Sequence, residues 1–210
     1  MKLYTYWRST AAYRVRIALN LKGVARQDVF VSLVAGEQGA PDYAALNPQK
    51  LVPALELDDG TVLTQSLAII DWLEATQPTP ALLPSEAVAR ARVLAAAHVV
   101  ACDIHPVNNL RVLQALSAHF NADEGARIAW MHHWMQLGFD TLEATLPAPR
   151  FAFGTAPGLA DICLIPQLYN ARRWGLDLTP WPNLTKIEAA CLDLPAFAEA
   201  VPEAQPDATG

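Results

Sequence analysis

Two rhythms of apolar and polar positions run along the 210 residues. Up to residue 80, strand-like and helix-like runs alternate. Lys2–Trp7 predicts a strand, and Ala11–Lys22 predicts a helix that Gly23 is placed to end. Gln27–Leu33 predicts a second strand, followed by a Gly-rich turn and a short helix near Asp42–Leu46. Val52–Leu57 and Thr61–Leu63 flank Asp59-Gly60, a dipeptide that suits a hairpin turn. Ser66–Ala75 predicts a helix with Ser66 as its N-cap. The order is β-α-β-α-β-β-α. Pro78, Pro80 and Pro84 then break both helix and strand. Beyond them the period is helical: Glu86–Phe120, Asp123–Leu146, Leu159–Trp174, Asn183–Leu192 and Ala196–Ala200, with Pro202–Gly210 as a tail. Two domains are expected, 1–80 and 86–210.

The first order resembles a thioredoxin-like domain, so the fold class is α/β followed by all-α. Composition narrows the setting. The longest apolar run, Val93–Cys102, is too short to span a membrane and contains His98. The start, MKLYTYWRST, lacks the apolar stretch of a signal peptide, which makes the cytoplasm the expected location. Net charge is −6, divided as −1 over residues 1–85 and −5 over residues 86–210. An acidic chain without a basic stripe argues against a nucleic-acid partner. It leaves a small anionic substrate open, because local arginines decide that. Cys102, Cys163 and Cys191 fit no zinc spacing and no C-x-x-C, and each reads as a small buried hydrophobe. No metal site is expected.

Candidate chemistry begins where the first strand meets the first helix. Ser9 and Thr10 stand there, beside four unpaired backbone N–H groups and the positive end of a helix dipole. A thiol held at such a place tends to ionise. Arg8, Arg14 and Arg16 add positive charge, and residues 1–27 carry six Lys or Arg and no acid. The simplest role of the hydroxyls is a helix cap. The other is a seat for a ligand's thiol, since Ser9-Thr-Ala-Ala12 has no cysteine for disulfide exchange. Val52-Pro53 is either an edge device or a cis bond. A cis bond would leave the Val52 N–H and C=O open to an extended peptide. Gln65-Ser66 is a cap or a carboxylate seat.

In the helical part, His105, Asn108 and Asn109 share one side if the helix is continuous, while Pro106 should kink or restart it. This cluster is a solvated face or a site. A zinc site is disfavoured, because His105 lacks a second ligand at proper spacing. His132 and His133 read as one core and one surface residue. In Ala171-Arg-Arg-Trp174 one arginine is expected to face solvent and the other to be available to a ligand. Arg8, Arg111 and Arg173 form a set suited to carboxylates, which guanidinium binds bidentately.

Taken in order, these segments resemble the zeta-class glutathione transferases, the family of maleylacetoacetate isomerases. The resemblance runs nearly end to end. It includes Arg8-Ser9 with Arg14-Val-Arg-Ile-Ala-Leu19, Leu46-Asn-Pro-Gln49 with Val52-Pro53, and Gln65-Ser-Leu-Ala-Ile-Ile70. It continues through Pro78-Thr-Pro80, Leu82-Leu-Pro84, Leu159-Ala-Asp161, Pro166-Gln167, Asp177-Leu-Thr-Pro180 and Gln205-Pro-Asp207. The resemblance implies the glutathione transferase fold, a homodimer, and reduced glutathione as cofactor. It implies that Ser9, with Thr10 beside it, stabilises the glutathione thiolate. Gln49, Val52, Pro53, Gln65 and Ser66 would bind the peptide, and His105 and Asn109 would reach it from the helical domain. Arg8, Arg111 and Arg173 would hold the carboxylates of a small dicarboxylate, with Arg8 also near the chemistry.

The implied activity is cis–trans isomerisation of a maleyl keto acid, maleylacetoacetate to fumarylacetoacetate, in the degradation of aromatic compounds and amino acids. Alternatives are a maleylpyruvate isomerase, a general glutathione transferase or dehalogenase, and a non-catalytic binding module. Three departures stand out. Ala11 replaces a cysteine of many members, and Gly158 stands where a Ser or Thr caps the helix through Asp161. Arg111, absent from some animal members, points to an extra or differently placed carboxylate, as in maleylpyruvate.

Overall fold

A four-stranded sheet organises the first part of the computed structural model, which describes residues 1–209. Its strands are β1 (Lys2–Thr5), β2 (Gln27–Phe30), β3 (Ala54–Glu56) and β4 (Val62–Thr64), in the order β2-β1-β3-β4. β1 and β2 run parallel through the crossover helix α1 (Thr10–Leu21). β3 and β4 form the expected hairpin and pair antiparallel. β1, β2 and β3 are shorter than their expected runs, because flanking residues turn away to form the loops described below, and β4 lies one residue further on than expected. α2 (Pro41–Leu46) and α3 (Ser66–Thr76) complete the expected order. Leu3, Val15, Ile17, Leu19, Leu55, Ile69 and Leu73 are fully buried between the sheet and α1 and α3.

The cations of α1 are not surface charge. Arg14 and Arg16 are both buried, at 2% and 0% exposure. Arg16 spends its guanidinium on backbone and hydroxyl oxygens, two of its bonds reaching Ala200. Lys22 closes the end of α3 by donating to the Gln77 and Pro80 carbonyls at 2.6 and 2.7 Å and pairing with Glu74.

The chain divides into two compact units, 1–81 with 192–210, and 82–191. This differs from the expected 86–210 domain. The last segment, with the short helix α9 (Pro195–Ala198), packs on α1, where Asn20 donates to the Ala196 carbonyl at 3.0 Å. A buried arginine demands oxygen partners, and this segment supplies one.

The second unit is built from α4 (Ala87–His98), α5 (Leu110–Phe120), α6 (Glu124–Thr145), α7 (Leu159–Arg173) and α8 (Pro182–Leu192), the last running one residue beyond it. The helical run expected over 86–120 is interrupted around Pro106, as expected, but the break begins earlier. α4 passes into a π-helical turn, Val99–Ile104, and the chain turns through Pro106 before α5 restarts. Gly138 of α6 makes room for that turn: a Cβ there would lie 2.3 Å from Ile104 Cδ1. Gly158 also has a packing reason, because a Cβ would lie 2.9 Å from the Leu82 carbonyl oxygen. A Ser or Thr cap at this position would have to displace backbone. Asp161 still does its half of the capping, accepting Gly158 N–H at 2.9 Å and Ala152 N–H at 2.8 Å. Burial pushes its carboxyl up, against the downward pull of these N–H bonds. Cys163 and Cys191 are buried as expected, whereas Cys102 is exposed.

Candidate active site

Sheet register gathers the candidates of the first unit. Tyr4 pairs with Ala54, and Ala54 with Thr64, so these three form one row across β1, β3 and β4. The chain just beyond each is a candidate segment: Arg8-Ser9 after β1, Val52-Pro53 before β3, and Gln65-Ser66 after β4.

Ser9 is the N-cap of α1. Its Oγ accepts the Ala12 N–H at 3.2 Å, which leaves its own O–H to donate. Ser9 is half-buried, whereas Thr10, in the first turn, is buried at 8% exposure. The two hydroxyls are therefore not equivalent. Arg8 stacks with its Cζ 4.4 Å from the Trp7 ring centroid, and its Nη2 donates to Tyr6 OH at 3.4 Å.

Val52-Pro53 is a cis peptide, and so is Thr79-Pro80. Val52 lies outside the β3 ladder, which begins at Ala54. Its side chain packs with Tyr6, Trp7, Val31 and Tyr43. The loop before it is held by two donors on one carbonyl: Tyr43 OH and Asn47 Nδ2 reach Leu51 O at 2.6 and 2.8 Å. Gln49, at the tip, accepts the Gln65 side-chain amide at 2.8 Å.

Ser66 does not cap α3. Gln65 takes that place with φ +69°, a left-handed conformation that costs a non-glycine residue about 1–3 kcal/mol. Ser66 sits in the first turn, where its Oγ accepts Arg14 Nη1 at 3.4 Å. That bond joins α1 to the start of α3. Beside β1, Lys2 and Tyr4 donate to Glu56 at 2.9 and 2.7 Å and hold its carboxyl below the ordinary 4.5.

In the second unit the broken helix separates residues that a continuous one would align. His105 is half-buried where the π-helical turn ends. Asn108 donates to the Met131 carbonyl at 3.4 Å, and Trp130 Nε1 donates to the Val107 carbonyl at 2.9 Å, tying the turn to α6. Asn109 is the N-cap of α5 and accepts the Arg111 N–H at 3.2 Å. Arg111 itself is exposed. Of the two adjacent arginines ending α7, Arg172 pairs with Glu188, while Arg173 lies with its Cζ 4.7 Å from the Trp174 ring centroid. His132 meets the Trp174 carbonyl at 2.8 Å and is half-buried, and His133 is exposed. Among the described residues no three His, Cys, Asp or Glu gather as a metal site, and no helix is long and apolar enough to cross a membrane.

Residue-by-residue reading missed the supports of the site: Tyr43 and Asn47 under Leu51, and Arg16 beside the Tyr6–Trp7 turn. The available signal for Arg16 was its place between Val15 and Ile17 on an apolar helix.

With this geometry in view, comparison with known proteins defines the class. Residues 3–81 match the glutathione S-transferase N-terminal domain, and residues 136–190 match the glutathione S-transferase C-terminal domain. The chain belongs to the glutathione S-transferase family, in its zeta class. It is 51% identical to the maleylpyruvate isomerase of a Ralstonia species, across 99% of both chains. A holo structure of a maleylpyruvate isomerase, described as a bacterial zeta-class glutathione S-transferase, superimposes with a TM-score of 0.97 at 51% identity over all of both chains. A maleylacetoacetate isomerase from Methylobacterium extorquens AM1, solved with malonate and glutathione, gives 0.96 at 43% identity, again over all of both chains.

Proposed function

We propose that this chain is a glutathione-dependent cis–trans isomerase of a maleyl keto acid. The observation that carries the reading is the register row Tyr4–Ala54–Thr64, which brings a helix entry, an open peptide edge and a second helix entry to one end of one sheet. These three parts suit a thiol, a central peptide and an α-carboxylate, the groups of glutathione. When bound, glutathione supplies a thiolate that adds to the cis double bond and leaves after rotation about what has become a single bond.

The chain's own residues then have simple tasks. Ser9 donates its O–H to the sulfur and favours the ionised form, helped by the N–H groups of the first α1 turn. Val52 offers backbone N–H and C=O beside Pro53, and the start of α3 with Gln65 and Ser66 receives the carboxylate. Gln49 orients Gln65, and the family resemblance adds His105 and Asn109 to the glutathione-binding residues. Arg8, Arg111 and Arg173 bind the carboxylates of the maleyl acid and stabilise the charge that develops on its carbonyl oxygen. Malonate in a relative's structure fits a dicarboxylate substrate. By the same reading the protein works in the cytoplasm as a homodimer, which sedimentation of the purified chain checks.

Maleylacetoacetate is the leading substrate. Maleylpyruvate is the second reading, favoured by Arg111 and by the 51% identity to a maleylpyruvate isomerase. The deciding experiment follows each maleyl acid spectrophotometrically with a trace of glutathione. Isomerisation without net consumption of glutathione is expected, and the ratio of kcat/KM values assigns the substrate. Stoichiometric loss of glutathione would instead make the protein a conjugating transferase or dehalogenase.

A further inference from the structure

The C-terminal segment grips the turn that carries Ser9. Asp207 Oδ2 accepts the Trp7 N–H at 3.0 Å. The Trp7 carbonyl accepts Arg16 Nη2, also at 3.0 Å. Both peptide groups of Trp7 are thus held, one from the tail and one from α1. The preceding carbonyl, of Tyr6, accepts the Ser9 N–H at 3.0 Å and Arg16 Nη1 at 3.4 Å. Arg16 is fully buried, and it binds the tail as well: its Nε and Nη2 donate to the Ala200 carbonyl at 3.2 and 3.1 Å.

The tail is also braced internally. Gln205 Nε2 donates to the Glu199 and Val201 carbonyls at 2.9 and 2.8 Å. Ala208 packs on the cluster of Tyr6, Trp7, Val31, Tyr43 and Val52. One terminal segment therefore touches both the Trp7–Ser9 turn and the side-chain cluster under Val52. Neither element needs it to form: α1 is capped by Ser9 itself, and β1 and β3 are held by their ladder.

We propose that Asp207 and Arg16 are positioning residues of the reaction. They clamp Trp7 so that the Ser9 hydroxyl and the Val52 backbone are in place before glutathione arrives. The inference rests on the reading of Ser9 as the partner of the thiolate. Catalytic groups lose their effect when displaced by about 0.5 Å, so a turn fixed at consecutive peptide groups has a direct use. Asp207 acts through Trp7, and its Oδ1 makes no hydrogen bond. One oxygen suffices for the Trp7 N–H, and an asparagine can supply it.

Arg16 is part of the core, so the test uses Asp207. Wild type, Asp207→Ala and Asp207→Asn are compared as full-length proteins in two ways: amide hydrogen exchange by NMR, and titration of bound glutathione followed by thiolate absorbance. In Asp207→Ala the Ser9 and Ala12 amides, which do not touch Asp207, exchange about tenfold faster, while β3 and α3 keep wild-type rates. The bound thiol titrates about one pKa unit higher, a tenfold fall in the thiolate-to-thiol ratio at a given pH. Asp207→Asn recovers most of both effects. Wild-type exchange at Ser9 and Ala12 in Asp207→Ala, uniformly faster exchange throughout the unit, or an Asp207→Asn as impaired as Asp207→Ala would each overturn the proposal. A wild-type protein that fails to ionise glutathione sinks the reading of Ser9, and the exchange comparison alone then decides the clamp.

Discussion

The two units hold their candidate residues by different means. In the first, backbone does the placing: sheet register, the cap at Ser9, two donors on the Leu51 carbonyl and two bonds on the peptide groups of Trp7. In the second, candidates sit at helix ends and on a turn, and Arg111 and Arg173 project as exposed side chains. The contrast suits the proposed division of labour. A fixed cofactor is met by fixed backbone, whereas substrates that vary in length or in the place of a carboxylate are met by long side chains that can be exchanged.

The largest effect should come from a buried carboxylate of the second unit. Asp161, at 2% exposure, takes the buried Ala152 N–H and the part-buried Gly158 N–H, so Asp161→Ala should cost about 2–5 kcal/mol in urea unfolding. An unchanged midpoint would show that α7 does not depend on this carboxylate. Gly138→Ala comes next. The added methyl meets Ile104 at 2.3 Å, and overpacking of this kind costs about 1–3 kcal/mol. The same unfolding assay reads it, and glutathione affinity of the folded protein should not change.

Arg111→Ala and Arg173→Ala should each raise KM for the maleyl acid about tenfold, the loss of one charge-assisted contact. Calorimetry should find the Kd for glutathione unaltered. If either variant weakens glutathione instead, the division between backbone-held cofactor and arginine-held substrate collapses.

The smallest effect is one of pH, and it has opposite signs in the two units. Glu56 is held below its ordinary 4.5 by the Lys2 and Tyr4 bonds, so its stabilisation is complete above that value and is lost as pH falls through the lower folded pKa. Asp161 is raised above 3.8 by burial, so the cost of its charge is absent below 3.8 and grows as pH rises through the higher folded pKa. Acidification therefore weakens the first unit through Glu56 and relieves the second through Asp161. Glu56→Gln should flatten the acid fall of Tm, and an unaltered slope would remove Glu56 from the account.

Local signals explain what was legible in the amino-acid sequence. Asp59-Gly60 marks the hairpin, and Pro106 interrupts the helix begun at α4. Position and spacing located Ser9, Val52-Pro53 and Gln65-Ser66, because each stands at the end of an element. The clamp was not legible: Arg16 meets Ala200 across 184 residues and Trp7 meets Asp207 across 200. No periodicity reports a contact of that range. The π-helical turn was hidden too, since it depends on Gly138 lying opposite Ile104. Gln65, rather than Ser66, stands at the N-cap of α3 because the chain leaves β4 at positive φ, which a polar side chain does not announce.

The most direct test of the central claim is the titration of bound glutathione in wild type and Ser9→Ala, read by thiolate absorbance. The account predicts a wild-type thiol pKa well below that of a free thiol, about 8.5, and a rise of one unit or more in Ser9→Ala with the fold intact by circular dichroism. Identical titrations in the two proteins would contradict it, and would leave the backbone of α1 to hold the thiolate without the hydroxyl.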